Sequence, residues 1–214
     1  MLEVRRLSAG YGRARVLFEI DLEVRGGEVV ALLGRNGAGK STTLKAIMRL
    51  VTPSSGQVLF DGRDLGDLQP YQVARLGLGY VPEDRRIFTD LTVAENLDVG
   101  RQPPRAAAPT WSDEKLFKLF PALAALRRRR GSRMSGGEQQ MLCIARTLAG
   151  NPTAILLDEP SEGLAPVVVE QVGRAIVELK RAGVAVLLAE QNRHFTGRVA
   201  DRTYVLETGI MRSA

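Results

Sequence analysis

The octet Gly34-Arg35-Asn36-Gly37-Ala38-Gly39-Lys40-Ser41 constrains this chain more than any other stretch of it. Its fixed positions follow G-x-x-x-x-G-K-[ST], and at this composition they coincide by chance in roughly one such chain in two hundred. Residues 29–33 form a continuous apolar run that reads as a buried strand. After the octet, Leu44, Ile47, Met48 and Val51 follow helical spacing. The octet therefore has the strand–loop–helix setting that its chemistry requires. Glycines let successive backbone N–H groups turn inward around a polyphosphate, and the following helix presents its positive end. Lys40 adds a point charge for the outer phosphates and the Ser41 hydroxyl is a ligand for Mg²⁺, with Thr42 next in the first turn. Gly34, Arg35, Asn36, Gly37, Ala38, Gly39, Lys40, Ser41 and Thr42 are thus the predicted nucleotide contacts.

At 214 residues the chain suits one domain of good size, able to bury a sizeable core. Hydrophobic residues at 44% and charged residues at 25% are ordinary for a globular fold. No apolar run approaches the roughly 20 residues needed to span a bilayer. Residues 1–6 lack the apolar stretch of a secretion signal, so a cytosolic chain is expected. Cys143, the single cysteine, excludes an internal disulfide and a cysteine-rich metal site; between Met141 and Ala145 it reads as a small core filler. The formal charge of +6 is sharpest at Arg127-Arg128-Arg129-Arg130. No aromatic residues interleave with these arginines as base-stacking platforms. A solvated helix end or loop is expected there, and no nucleic-acid partner.

The opening third alternates short strand-like runs, residues 16–20 and 22–24, then Val58-Leu59-Phe60 closing on the hairpin turn Asp61-Gly62. From Thr89 to about Gly150 the pattern is helical. Thr92 and Glu95 make a capping box before Leu97. Ser112, Asp113 and Glu114 open a helix carrying Leu116, Phe117, Leu119 and Phe120, with Leu123 and Leu126 leading to the arginines. Residues 102–109 read as a flexible surface connection. Residues 154–157 and 184–189 are again apolar and strand-length, and a helix opening at Pro166 places Val169, Val172, Ile176 and Leu179 on one face. Buried strands alternating with amphipathic helices predict an α/β fold with a mainly parallel sheet covered on both faces. Residues 1–88 and 151–214 are the expected core, and 89–150 a helical insertion.

Three further motifs follow the octet: Met134-Ser135-Gly136-Gly137-Glu138-Gln139-Gln140, then Leu156-Leu157-Asp158-Glu159-Pro160, then Ala189-Glu190-Gln191-Asn192. Asp158, at the C-terminal end of a buried strand, faces the crevice where such sheets place ligands, and can hold Mg²⁺ through water. Glu159 is the candidate to polarise an attacking water. Ser135 and Glu138 form a capping box of their own. Two glycines in the first turn of a helix nevertheless cost roughly 1 kcal/mol each relative to Ala, which close backbone approach to a ligand would explain.

With Tyr11-Gly12 near the start, this order of motifs resembles the ATP-binding subunit of ABC transporters over essentially the whole chain, most specifically in the Ser135 segment. The resemblance implies a P-loop NTPase core, an N-terminal antiparallel β subdomain and an inserted helical subdomain that ends in the signature helix. It also implies ATP hydrolysis with Mg²⁺ by paired chains. Ser135, Gly136, Gly137 and Glu138 of one copy close over the γ-phosphate held by the other. Lys40, Glu159 and Gln191 are then catalytic, and Ser41, Glu83 and Asp158 serve the metal. Tyr11 falls where the family stacks an aromatic ring on adenine. Glu83, in Gly79-Tyr80-Val81-Pro82-Glu83, stands in the loop where the family usually has a Mg²⁺-contacting Gln, and Gln191 stands where it has a switch histidine. An acid alters the charge beside the metal, and an amide cannot titrate, though it can donate to a phosphate. His194, the lone histidine, reads as a surface or packing residue.

The Glu83 and Gln191 variants, with residues 80–88, 137–142 and 158–166, resemble the smaller ATPase subunit of branched-chain amino-acid importers. ATPases of urea and short-chain amide importers look much alike. The implied partners are ABC permease subunits, a second ATP-binding subunit, identical or similar, and indirectly an external solute-binding protein. The chain would lie peripherally on the cytoplasmic face of the membrane, docked through residues 88–100. Relatives run on past Gly209, so loose packing is expected over residues 205–214. Two readings of other kinds stay open. One is a soluble ATPase acting on nucleic acid or ribosomes, which usually carries a second fused half or a long coiled insertion. The other is a regulatory module that binds nucleotide without turnover.

Overall fold

The computed structural model describes residues 1–106 and 108–212. In chain order its strands are β1 (Leu2–Tyr11), β2 (Ala14–Val24), β3 (Val29–Leu33), β4 (Pro53–Phe60), β5 (Arg63–Asp64), β6 (Leu78–Val81), β7 (Ala154–Asp158), β8 (Ala185–Glu190), β9 (Arg202–Glu207) and β10 (Ile210–Arg212). Its helices are α1 (Lys40–Ile47), α2 (Pro70–Leu76), α3 (Val93–Gly100), α4 (Asp113–Leu119), α5 (Pro121–Ala125), α6 (Gly136–Leu148), α7 (Pro166–Arg181) and α8 (Arg193–Val199). An antiparallel sheet runs β2-β1-β4-β5, and a second sheet runs β10-β9-β3-β8-β7-β6. In the second, β6, β7, β8, β3 and β9 are parallel and only β10 is antiparallel to its neighbour.

The central strands read as unbroken apolar runs because both faces of this sheet are covered. Side chains still alternate. Ile155, Leu157, Val186 and Leu188 enter the core on the side of α3–α8, whereas Ala154, Leu156, Ala185 and Leu187 face α1, α2 and the antiparallel sheet. The C-terminal ends of β3, β7 and β8 thereby meet at one edge, where open α/β sheets place ligands.

Several elements depart from the sequence reading. Residues 16–20 and 22–24 belong to one strand, β2, with Glu19 at φ 52°. Buried apolar positions in β2 run Leu17, Ile20, Leu22, Val24, and in β1 Leu2, Val4, Leu7, Ala9. The one residue extra to strict alternation, between Val4 and Leu7 and between Leu17 and Ile20, marks a bulge, which shifts the alternation so that both halves of the strand still face the core. Gly79, Tyr80 and Val81 are edge strand β6, so the loop begins only at Pro82. Helix α1 closes at Met48 and leaves Val51 outside. The helix capped by Ser112 breaks at Phe120, because Pro121 disfavours helical backbone in the preceding residue. Arg127, Arg128 and Arg129 consequently lie in a turn, not on a continued helix.

The 102–109 connection lies at the surface but is tied down. Arg105 donates to the carbonyls of Gly150 (2.7 Å) and Arg75 (2.8 Å), and Asn151 donates to that of Gln102 (2.9 Å). Ala107 within it, and Ser213 and Ala214, lie outside the described residues. Residues 205–212 are not loose. Leu206 is fully buried, and Gly209 accepts from Phe18 N–H (2.8 Å) and donates to the Ala38 carbonyl (2.9 Å). The hairpin β9–β10 thus braces the octet loop from outside. No described helix is long and apolar enough to cross a membrane.

Candidate active site

Gly37 (φ 81°) and Gly39 (φ 109°) take backbone conformations that residues with a Cβ rarely adopt, and they wrap the loop between β3 and α1. At Gly34 a Cβ would lie 2.6 Å from the Leu206 carbonyl oxygen, so the β9–β10 hairpin enforces glycine there too. Arg35, Asn36 and Gly37 are exposed, while Ala38, Gly39, Lys40 and Thr42 are buried. The Lys40 ammonium donates to the carbonyls of Gly34 (2.9 Å) and Arg35 (3.1 Å) and pairs with Glu159 at 2.8 Å. The ammonium thus has three oxygen neighbours, and both partners of the ion pair are more than nine-tenths buried.

Asp158 ends β7 fully buried. Its two carboxylate oxygens accept from Ser41 Oγ (2.8 Å) and Tyr80 Oη (3.1 Å). Burial pushes its carboxyl above the usual range, the two hydroxyls pull it back, and the negative charge of Glu83 adds to the rise. Burial and the Asp158 charge likewise raise the Tyr80 phenol. Glu159 follows at φ 46°, a strained setting for a side chain of its size. Beside it, the exposed Glu162 carboxyl is pushed up to about 7, first by a hydrogen bond to Glu159, then by burial and by the charges of Glu159, Glu83 and Glu190. Glu190 is a buried brace: its carboxylate accepts from Ser161 N–H (3.1 Å), Gln191 N–H (3.1 Å) and Asn192 N–H (3.2 Å).

Lys40, Ser41, Asp158 and Glu159 therefore converge at one sheet edge. Gln191 is exposed at the rim of a small cavity of about 120 Å³ that it shares with Gly34 and Arg35. Glu83 is exposed just beyond β6 and reaches Asp158 only through its field. Tyr11 stands half-exposed at the end of β1, and no hydrogen bond among the described residues joins it to the octet. His194 is exposed on α8. Ser135 caps α6: its hydroxyl accepts from Glu138 N–H (3.3 Å), and Glu138 accepts from Ser135 N–H (2.7 Å). No hydrogen bond or ion pair among the described residues links Ser135, Gly136, Gly137 or Glu138 to the Lys40 cluster. The two glycines also have neighbours within the chain: a Cβ would lie 2.7 Å from the Arg85 guanidinium at Gly136 and 2.9 Å from Val168 at Gly137.

The sequence profile of the ABC transporter family matches residues 17–162. The chain belongs to that family. It is 42% identical over 209 residues to the high-affinity branched-chain amino acid transport ATP-binding protein BraG of Pseudomonas aeruginosa, an alignment covering 98% of this chain and 90% of that protein. It is also 36% identical to the lipopolysaccharide export system ATP-binding protein LptB of Haemophilus influenzae, covering 98% and 88%. A solved ATP-binding subunit of an ABC transporter superposes with a TM-score of 0.85 at 30% identity, covering 100% of this chain and 88% of that one. A bacterial ABC transporter cassette solved as a dimer gives 0.85 at 25% identity, covering 100% and 97%. The chain is an ABC-type ATPase.

Among the described residues no three His, Cys, Asp or Glu gather into a metal cage. A Mg²⁺ ion would need none, since that ion is generally held through one or two carboxylates, waters and substrate phosphates. One buried carboxylate with a hydroxyl against it fits that pattern. Three participants escaped the sequence reading: Tyr80, Glu162 and Glu190. Tyr80 did carry a signal, a phenol at the end of an apolar strand that needs a polar partner when buried. Glu190 and Glu162 carried none, because their partners are set by how two loops fold over each other.

Proposed function

We propose that this chain drives an ABC importer of branched-chain amino acids by hydrolysing Mg·ATP in a site shared between two ATPase chains. The reading rests above all on the convergence of Lys40, Ser41, Asp158 and Glu159 at one sheet edge. In it, the loop from Gly34 to Thr42 cradles the phosphates and Lys40 leaves Glu159 for the terminal ones. Tyr11 stacks on adenine. Ser41 and Asp158, with Glu83 nearby, would hold Mg²⁺, which supplies charge neutralisation across the outer phosphates. Released from Lys40, Glu159 turns to the attacking water, and Gln191 donates to the terminal phosphate. Glu162, which binds its proton more tightly beside Glu159, steadies that carboxylate from the turn that follows it. Ser135, Gly136, Gly137 and Glu138 of the facing chain complete the pocket with a helix N-terminus.

Residues 1–88 and 151–214 act as the nucleotide core, and 89–150 as the helical arm toward the permease. Phe88 and Val99, both large, apolar and about half exposed, are the docking residues on the cytoplasmic face of the membrane. The branched-chain assignment follows the 42% identity to the Pseudomonas protein. The lipopolysaccharide-export relatives at 36% identity favour a second reading, in which the chain powers lipid extraction. Reconstitution with its co-purifying permeases separates them. Leucine-stimulated ATPase and leucine uptake are expected, and turnover stimulated only by lipopolysaccharide would overturn the importer reading.

A further inference from the structure

The loop from Pro82 to Leu91 holds Arg85 (φ 61°) and Arg86 (φ 45°), two consecutive non-glycine residues in the left-handed region. Such a pair persists only where surrounding structure holds it. Its bonds to Pro82 and Asp84 lie within the loop and cannot anchor it to anything else. The anchors come from one stripe of α6. Cys143 Sγ donates to the Arg85 carbonyl, and Arg146 Nη2 donates to the Arg86 carbonyl (2.8 Å). The Arg146 guanidinium also stacks 5.1 Å from the centre of the Phe88 ring. In return, the Arg85 guanidinium lies against Gly136 at the start of the same helix. Gly136, Cys143 and Arg146 are spaced to share a helix face.

We propose that Cys143 and Arg146 are positioning residues that latch the Arg85–Arg86 turn to α6, so that Glu83 and the Ser135–Gly137 helix start are placed as one body. The latch turns two otherwise disfavoured carbonyl orientations into bonds on a rigid helix. Without it the turn relaxes toward ordinary backbone and Glu83 loses its fixed distance from Asp158. The functional half of this proposal rests on the metal-side role given to Glu83 above; the latch itself does not.

The test uses the full chain and two readouts. Trypsin cuts after Arg85 and Arg86 report the turn directly. Cys143→Ala and Arg146→Met are expected to speed those cuts about threefold to tenfold, the size of one lost hydrogen bond, while Cys143→Ser, which keeps a donor, stays within about twofold. Unchanged cleavage there, or a rise shared equally by all arginine sites, overturns the latch. In the second readout the same two variants raise the Mg²⁺ concentration for half-maximal ATPase by a similar factor and leave ATP binding in EDTA unchanged. Faster cleavage with an unmoved Mg²⁺ requirement overturns the positioning role if Glu83→Gln does shift that requirement. If Glu83→Gln does not shift it either, the role of Glu83 itself is wrong, and the positioning claim falls with it.

Discussion

Glu159→Gln removes one charge from the Lys40 pair while leaving its shape. Lys40 pairs with Glu159 at 2.8 Å and donates to two loop carbonyls, all away from solvent. A triphosphate must displace that carboxylate before Lys40 can serve it. Gln keeps an acceptor for the Lys40 ammonium but loses the charge–charge attraction of the ion pair, whose net worth is on the order of 1 kcal/mol or somewhat more when buried. The amide therefore competes less well by about 1.4 kcal/mol, or tenfold in Kd. Nucleotide affinity should accordingly rise about tenfold in Glu159→Gln, measured by calorimetry with Mg·ATP, although the same change lowers turnover by about 10²–10⁴-fold. Gel filtration should show an ATP-bridged pair that persists because hydrolysis no longer releases it. Weaker ATP binding in the variant, or unaltered phosphate release, would refute both the competition and the role of Glu159.

Three other outcomes follow from the geometry. Gly136→Ala should leave the monomer as stable or up to about 1 kcal/mol more so, since helices favour Ala and the displaced atom is the movable end of Arg85. ATP-dependent pairing should nevertheless fall at least about tenfold, and normal pairing would show that the glycine serves only its own chain. Tyr80→Phe removes a donor from the buried Asp158 carboxylate, so thermal denaturation should show a loss of about 1–2 kcal/mol. The acid limb of the ATPase profile should move upward as Asp158 binds its proton more tightly; a stationary limb would argue against it. Glu162, raised from 4.5 to about 7, binds its proton more tightly in the folded chain, so its contribution to stability is full at low pH and is lost as pH rises toward 7. Urea titrations between pH 5 and 8 should show that decline, and Glu162→Gln should flatten it.

Much of the fold was legible because its signals are local. The octet, the apolar runs of β3, β7 and β8, and the capping boxes at Thr92 and Ser135 each declare themselves within a few residues. What failed depended on partners distant in sequence. The bulges that join residues 14–24 into one strand make sense only against β1, and β6 is a strand only because β7 lies beside it. Pro121 was the exception: it is a local break that the continuing leucine spacing concealed. In the candidate site, residue type and order single out Lys40, Ser41, Asp158 and Glu159, which the fold brings together. Nothing in a linear pattern reveals that Lys40 rests on Glu159, or that Glu162 leans on the same carboxylate.

The carboxylate of Glu190 has a consequence for how the site can move. By gripping Ser161 on one loop and Gln191 and Asn192 on another, it works like a pin through two hinge leaves. Any shift of Gln191 reaches the chain beyond Pro160 in the same displacement, with no intervening spring to absorb it.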